Sequence, residues 1–391
     1  MGTSFSCRHA IEFLKCLWQV NNSSASGAPL DCTNHNGQIV ISTGFDIGCG
    51  NGAIVSLGIK VPSVAATTGD LSRVLDHLPN LEGLILDNSN ISGPLSEFRR
   101  VRNPSKLRRL QLRWCNVGGT LEDLSNYTFQ ALKLSDNISG DIKSLDWSQL
   151  EFLDLRNATA VTGNVSNLKS GLVKGLWLQY TQATGDITEL MRNNSNLTYL
   201  HVQGSQIYGH IDRQWAPPHN VGNELKELVL FNTKVTFGMP VPKKPKAPQD
   251  PNPFPNLSKL DVSGNPLNMD VWDFLYPLAN NYHLSVIVAS GCNLTGKETR
   301  LRIIAAVFCF CKSLPDVEGI FSYRNRPLYW QLNYMDLSRN GITKLLGEPR
   351  EFFLDVSSNP VTEVDPRYFK TPLVLNLANT PYNVTEDRRL I

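Results

Sequence analysis

Residues 81–95 read LEGLILDNSNISGPL, and residues 107–121 read LRRLQLRWCNVGGTL. Both stretches carry an apolar residue at their first, fourth, sixth, eleventh and fifteenth positions, and a glycine at the thirteenth. On a short strand alternate side chains point to the same face, so the leucines at the fourth and sixth positions share a face. One strand cannot bury that face alone, which predicts that successive copies stack side by side.

The same pattern returns along most of the chain. Its fourth-position leucines are Leu84, Leu110, Leu132, Leu153, Leu176 and Leu200. The spacing between them stays within the ~20 to 29 residues of a leucine-rich repeat. We therefore predict an α/β solenoid, a leucine-rich repeat with a parallel concave β-sheet, a short helical or irregular convex side and an N-terminal cap. A glycine recurs in register and predicts a tight backbone bend: Gly93, Gly119, Gly140, Gly163, Gly185 and Gly209.

Two segments resemble the plant-type leucine-rich-repeat family. They are Asn-Ile-Ser-Gly-Pro-Leu at 90–95 and Asn-Ile-Ser-Gly-Asp-Ile at 137–142, and the resemblance covers most of residues 51–300. This sequence departs from the family by lacking the usual proline after that half of the repeat and by its irregular repeat lengths. The resemblance implies a non-catalytic recognition module, of the kind found in receptor-kinase ectodomains and polygalacturonase-inhibitor-like secreted proteins.

Composition changes along the chain predict four segments. An N-terminal cap covers residues 1–50, and leucine-rich repeats cover 51–296 with a proline-rich loop inserted at 239–255. An insertion follows at 297–330, and terminal repeats with the C-terminal end occupy 331–391. Because proline cannot donate to a sheet ladder, the proline-rich segment is predicted to be an exposed loop.

Eight cysteines are unevenly placed, with Cys7, Cys16, Cys32 and Cys49 crowded into the cap. They predict either disulfides that staple the cap or buried free thiols, and spacing alone does not choose between these. Cys309 and Cys311 stand one residue apart, a spacing shorter than that of zinc or redox pairs. We therefore expect no metal site.

Other signals of chemistry are weak. The net charge is +2 without a basic run, which does not suggest a nucleic-acid partner. No stretch approaches the length of a transmembrane helix. Phosphate-binding, dinucleotide, zinc-protease and nucleophile-elbow motifs are missing from the sequence, which predicts no cofactor and no enzyme activity. The sequence does not indicate an oligomeric state.

Side chains between the inner leucines should form columns on the concave face, where solenoids bind partners. Aromatic and arginine side chains dominate binding hot spots, so we predict a binding site for a protein, a peptide or a glycan in these columns. The alternative is cross-strand aromatic pairing that only stabilises the sheet. The candidate residues are Arg113, Trp114, Arg156, Trp177, Tyr180, Tyr199, His201 and Phe231.

Compartment signals conflict. Twelve glycosylation sequons favour an extracellular or cell-surface protein, although several arise from the repeat template. The chain starts without a recognisable leader, and Gly2 with Cys7 fits an acylation pattern. A membrane-tethered cytoplasmic scaffold is therefore one alternative, and a polysaccharide-active β-helix enzyme using Lys133, Asp154 and Arg156 is a less favoured one. The sequons begin at Asn21, Asn22, Asn90, Asn126, Asn137, Asn157, Asn164, Asn193, Asn196, Asn256, Asn293 and Asn383.

Overall fold

The computed structural model describes residues 37–60, 68–238, 253–296, 333–345, 353–369 and 374–383, with short gaps inside these ranges. The chain divides into two compact units. We call Met1–Thr184 the N-terminal unit and Gly185–Ile391 the C-terminal unit. Each unit is built from short strands, with a few turns of helix.

The N-terminal unit contains strands β1 to β14. They are β1 (Gly37–Ser42), β2 (Phe45–Gly50), β3 (Ala53–Lys60), β4 (Thr68–Asp70), β5 (Gly83–Asp87), β6 (Asn90–Pro94), β7 (Arg109–Leu112), β8 (Asn116–Thr120), β9 (Ala131–Leu134), β10 (Ile138–Asp141), β11 (Phe152–Asp154), β12 (Ala160–Asn164), β13 (Gly175–Trp177) and β14 (Gln182–Asp186), which reaches just past the division. The first helix, α1 (Leu71–His77), begins after Asp70, whose carboxylate accepts the N–H of Ser72 at 2.8 Å.

Strands β1, β2, β3, β5, β7, β9, β11 and β13 form one sheet in that order, which we call the long sheet. The first three strands pair antiparallel, and from β3 onward the pairing is parallel. Repeat leucines face one another in register and are buried, each contributing about 1.5–3 kcal/mol by its burial. They are Leu57, Leu84, Leu110, Leu132, Leu153 and Leu176.

A second parallel sheet runs along the other side of each repeat, and the sequence did not predict it. It contains β4, β6, β8, β10, β12 and β14. The recurring glycines up to Gly185 lie inside its strands and do not form the tight bends that the sequence predicts, although all of the recurring glycines have the positive φ that favours glycine. They are required for close approach instead: at Gly119 (φ 143°) an added Cβ would lie 3.0 Å from Leu95 Cβ.

Short helical turns complete each N-terminal repeat, as the sequence predicts. They are 3-10 turns at Leu95–Arg100, Pro104–Lys106, Leu121–Leu124, Ile142–Ser144 and Val165–Asn167. Each of these except Pro104–Lys106 begins right after a strand of the second sheet, so the repeat path is strand, strand and helical turn.

The C-terminal unit repeats this plan with less of the second sheet. Its elements are α2 (Ile187–Asn193), β15 (Tyr199–His201), β16 (Gln206–Ile211), β17 (Glu227–Val229), β18 (Lys234–Phe237), β19 (Lys259–Asp261), α3 (Val271–Leu275), a 3-10 turn (Tyr276–Leu278), β20 (Val286–Val288), β21 (Thr295–Gly296), β22 (Tyr334–Asp336), β23 (Gly341–Ile342), β24 (Lys344–Leu345), β25 (Phe353–Asp355), β26 (Glu363–Val364), a 3-10 turn (Pro366–Phe369) and β27 (Val374–Asn376). Strands β15, β17, β19, β20, β22, β25 and β27 form a parallel sheet in that order, which we call the C-terminal sheet.

Several predictions fall outside the described residues. They are three of the cap cysteines (Cys7, Cys16 and Cys32), nearly all of the proline-rich loop, and the 297–330 insertion. Within the part of the chain that the structure describes, every helix is too short to cross a bilayer.

Candidate functional site

Each repeat leaves its long-sheet or C-terminal-sheet strand through a residue in the left-handed region. Asn and Asp adopt this conformation readily and glycine does so without strain, whereas a bulky side chain there is a true outlier. In the N-terminal unit the position is held by Asn88 (φ 51°), Trp114 (φ 54°), Asp136 (φ 45°), Asn157 (φ 66°) and Tyr180 (φ 60°). In the C-terminal unit it is held by Gly204, Asn232, Gly264, Gly291, Arg339, Ser358 and Asn379.

Trp114 and Tyr180 break this pattern in the N-terminal unit, as Arg339 and Ser358 do in the C-terminal unit. Holding a bulky residue in this region costs about 1–3 kcal/mol, and strained residues of this kind cluster at functional sites. Both side chains are also exposed, Trp114 by 51% and Tyr180 by 47%. A residue whose backbone is strained and whose aromatic ring is half exposed to solvent adds little to the stability of the sheet.

The two rings belong to repeats whose strands are β7 and β13. Two strands, β9 and β11, lie between them. At ~4.8 Å per strand, three steps place the two positions roughly 14 Å apart along the sheet. Arg113 stacks on the indole of Trp114, with its guanidinium carbon 4.7 Å from the ring centroid, a cation–π contact that orients the ring.

A charged cluster lies beside these aromatic residues. The Arg156 guanidinium makes a two-point contact with Asp154, with Nε to Oδ1 and Nη2 to Oδ2 both at 2.8 Å. Arg113 lies between two carboxylates, with Nη2 3.4 Å from Asp87 Oδ2 and Nη1 3.7 Å from Asp154 Oδ2. Gln111 donates to Asp87 as well. Two arginines thus balance two nearly fully buried aspartates.

Some polar atoms of this face have no hydrogen-bond partner among the described residues. They are Asp87 Oδ1, Arg113 Nε and Gln179 Oε1, all buried. A buried polar atom without a partner costs free energy, so these atoms favour a bound group that supplies one.

Trp177 is more deeply placed than the sequence predicted. It stacks on Phe152 with ring centroids 6.5 Å apart and an interplanar angle of 27°. Its ring lies over Gly175, where an added Cβ would come within 2.3 Å of it. Trp177 is half-buried, so the cross-strand packing alternative describes it better than an exposed anchor does.

The other three candidate residues belong to the C-terminal unit. His201 Nε2 lies 3.0 Å from Glu227 Oε2 on the adjacent strand. Tyr199 and Phe231 are half-buried, although the sequence predicted that both rings face solvent. The structure therefore gathers Arg113, Trp114, Arg156, Trp177 and Tyr180 on the long sheet, and Tyr199, His201 and Phe231 separately around β15 and β17.

The described residues offer little reactive chemistry. Burial raises the pKa of Cys115 and raises the pKa of Cys292 to about 11, so both stay protonated thiols at neutral pH. Burial also raises the pKa of Tyr127, whose hydroxyl donates to Phe98 O at 2.7 Å. No group of three or more His, Cys, Asp or Glu within the described ranges is arranged to hold a metal.

Sequence reasoning missed the partnered carboxylates and the left-handed position. The carboxylates could not be found because the pattern predicts which face a residue lies on, and says nothing of its ion pairs. The left-handed position carries a signal, because Asn88, Asp136 and Asn157 occupy it in neighbouring repeats, and these residue types favour it.

Solved structures with the same fold include a TDR receptor, with 17% sequence identity, a TM-score of 0.51, and coverage of 82% of this chain and 51% of that chain. The Arabidopsis receptor kinase HAESA, in complex with the peptide hormone IDA and the co-receptor SERK1, is also similar, with 18% identity, a TM-score of 0.48, and coverage of 79% and 51%. A plant ice-binding protein shows 15% identity, a TM-score of 0.43, and coverage of 97% and 98%.

The fold is therefore a leucine-rich-repeat solenoid. The chain spans about half the length of the TDR and HAESA structures. No protein-family model and no curated protein sequence matches the chain.

Proposed function

We propose that this chain is a non-catalytic recognition module that binds a protein or peptide ligand across the long-sheet face of the N-terminal unit, with Trp114 and Tyr180 as its anchors. The proposal rests on one observation: Trp114 and Tyr180 both have a left-handed backbone conformation and an exposed aromatic ring. Aromatic anchors beside arginine are the residue types that contribute most to binding energy.

The spacing of the anchors favours an extended ligand. An extended chain advances about 3.3 Å per residue, so roughly four residues span the ~14 Å between the two rings. Such a segment would lie above Arg113 and Arg156 and the partly unpartnered floor of Asp87 and Gln179. A glycan could use the same rings, and we rank it second because the floor offers ion pairs and only a few free acceptors.

We place the protein outside the cell, as a secreted inhibitor or a receptor-type ectodomain. The shared fold with a receptor supports this placement, and so do the sequons with exposed asparagines such as Asn126, Asn157 and Asn196. The competing scaffold depends on Gly2 and Cys7, which lie outside the described residues. Intact-mass measurement of native protein separates the two, because glycans and acyl chains add different masses.

The β-helix enzyme finds little support. Asp154, one of the three residues named for it, is 2% exposed and is held by both arginines. A carboxylate placed in this way is poorly available to a substrate. This supports recognition over catalysis.

Selection of random displayed peptides on the folded protein tests the proposal. We expect recovered peptides to bind wild type at least about tenfold more tightly than Trp114→Asn or Tyr180→Asn. Tyr208→Ala is the matched control, because Tyr208 is equally exposed at 47% but lies on β16, which is not a strand of the long sheet. Peptides that depend on Tyr208 and ignore Trp114 would contradict the proposed site.

A further inference from the structure

An open cleft of about 380 Å³ lies beside the second sheet of the N-terminal unit, formed by side chains that the candidate site does not use. It contains one aromatic ring, amide and ammonium groups, and the carboxylate of Asp141, whose Oδ2 lies 3.3 Å from Lys143 Nζ. This volume falls at the lower end of small-ligand sites. The side chains that matter for its occupant are Lys143, Trp147, Asn164, Asn167 and Lys169.

Asn164 lies in the wall of this cleft and begins the sequon Asn164-Val165-Ser166. Its side-chain oxygen Oδ1 accepts the backbone N–H of Ser166 at 2.9 Å. This contact fixes the amide at the end of β12 and leaves the nitrogen, Nδ2, for other chemistry. Nδ2 is the atom to which an N-linked sugar is attached, and Asn164 is exposed.

Trp147 provides a surface for a sugar ring. Its indole N–H donates to Ile142 O at 3.0 Å, which holds the ring in place with its polar atom already satisfied. The half-buried carbon face of the ring remains part of the cleft. The C–H face of a pyranose packs well on such a surface, while Lys143, Lys169 and Asn167 offer donors to its hydroxyl and acetamide groups.

We propose that Asn164 carries an N-linked oligosaccharide whose first sugar fills this cleft against Trp147. The proposal rests on the extracellular placement proposed above. In the attachment step, Nδ2 forms a bond to the anomeric carbon of an oligosaccharide on a lipid pyrophosphate carrier. The carbon–oxygen bond to the pyrophosphate breaks, the bonding pair leaves with the pyrophosphate, and the amide loses one proton.

Asn126 gives an internal control. It is exposed, begins its own sequon, and is not among the residues that form the cleft. A glycan at Asn126 should project into solvent, whereas the glycan at Asn164 should be shielded by Trp147. The two sites therefore differ in packing within a single molecule.

The test is to express the chain in a eukaryotic secretory host and to release glycans from the native protein with a peptide-N-glycosidase in heavy-oxygen water. Peptide mass spectrometry then follows each asparagine over time. We expect both sites to be occupied, with release from Asn164 slower than from Asn126 by about tenfold. Trp147→Ala should abolish the difference, and Trp147→Phe should largely keep it.

Three results would overturn the proposal. An occupied Asn126 with an empty Asn164 would refute it while leaving the extracellular placement intact. Equal release rates in the wild-type protein would refute the packing on Trp147, and this comparison does not depend on any variant folding. Absence of glycan from every sequon would refute both this proposal and the extracellular placement.

Discussion

The two units use one position of the repeat differently. The residue three places after the second core residue of each described C-terminal repeat is an asparagine in some repeats (Asn265, Asn340 and Asn359) and Ser205, Thr233, Cys292 or Thr380 in the others. In the N-terminal unit it is Ser89, Cys115, Asn137, Ala158 and Thr181. The C-terminal asparagines connect neighbouring repeats by hydrogen bonds, whereas the Thr181 hydroxyl bonds only within its own repeat, donating to Leu178 O and accepting from Ala183 N.

The sheet faces differ as well. In the N-terminal unit, Asp87 and Asp154 are held by arginines, and aromatic rings stand at strained positions. In the C-terminal unit, Asp336 and Asp355 lie opposite each other on adjacent strands, and each accepts a backbone N–H two residues ahead. Under the proposed function, the asparagine-linked repeats of the C-terminal unit contribute stability and the N-terminal unit carries the binding residues.

The largest expected effect comes from Asn340→Ala. The Asn340 side chain donates to Ala289 O and Leu337 O and accepts from Cys292 N and Leu294 N, all at 2.8–3.0 Å. Removing it leaves buried backbone groups unpaired, so we expect the free energy of unfolding to fall by about 3 kcal/mol. Urea unfolding followed by circular dichroism measures the change.

Ser89→Ala is the matched change in the N-terminal unit. Ser89 is buried, and its hydroxyl has no partner among the described residues. Its loss should change the free energy of unfolding by less than about 0.5 kcal/mol. Equal losses in both variants would remove the distinction between the two units at this position.

The next prediction compares a carboxylate paired with an arginine, Asp154, with a carboxylate that lies opposite another carboxylate, Asp336. Asp154→Asn breaks the two-point contact with Arg156, and we expect it to cost about 2 kcal/mol, less than a fully buried pair because Arg156 still reaches water. Asp336→Asn keeps the side-chain oxygen that accepts from Ser338 and relieves repulsion from Asp355, so it should stabilise by about 0.5 kcal/mol. Unfolding curves that shift in the same direction for both variants would contradict the contrast.

The sequence predicts the stacked strands but neither the second sheet nor the ion pairs between repeats. Leucine spacing predicts the stacked strands because a strand shows its period directly in sequence, and Leu84, Leu110 and Leu132 are buried in register. The second sheet was missed because its strands are short and contain glycine, which weakens strand patterns. The pairing of Arg113 with Asp87 and Asp154 joins three repeats, and no local pattern reveals such a contact.

A smaller effect concerns the two thiols that occupy the same position of the repeat. Cys292 is fully buried with a pKa of about 11, while Cys115 is only partly buried and its pKa is raised by burial as well. Because the thiolate is the nucleophile, alkylation at mildly alkaline pH should modify Cys115 about tenfold faster than Cys292. Peptide mapping of the native protein measures both rates, and faster labelling of Cys292 would show that its repeat opens more readily than that of Cys115.

The central claim is that the backbone strain at Trp114 and Tyr180 lowers stability and is retained because their exposed rings bind the ligand. The most direct measurement is the free energy of unfolding of the Trp114→Asn, Tyr180→Asn double variant, taken together with its affinity for a peptide selected on the wild-type protein. Asparagine relieves the left-handed strain, so we predict that the variant is more stable by about 1 kcal/mol or more and binds at least about tenfold more weakly. A variant that is less stable and binds equally well would show that the two rings are part of the fold and do not form the site.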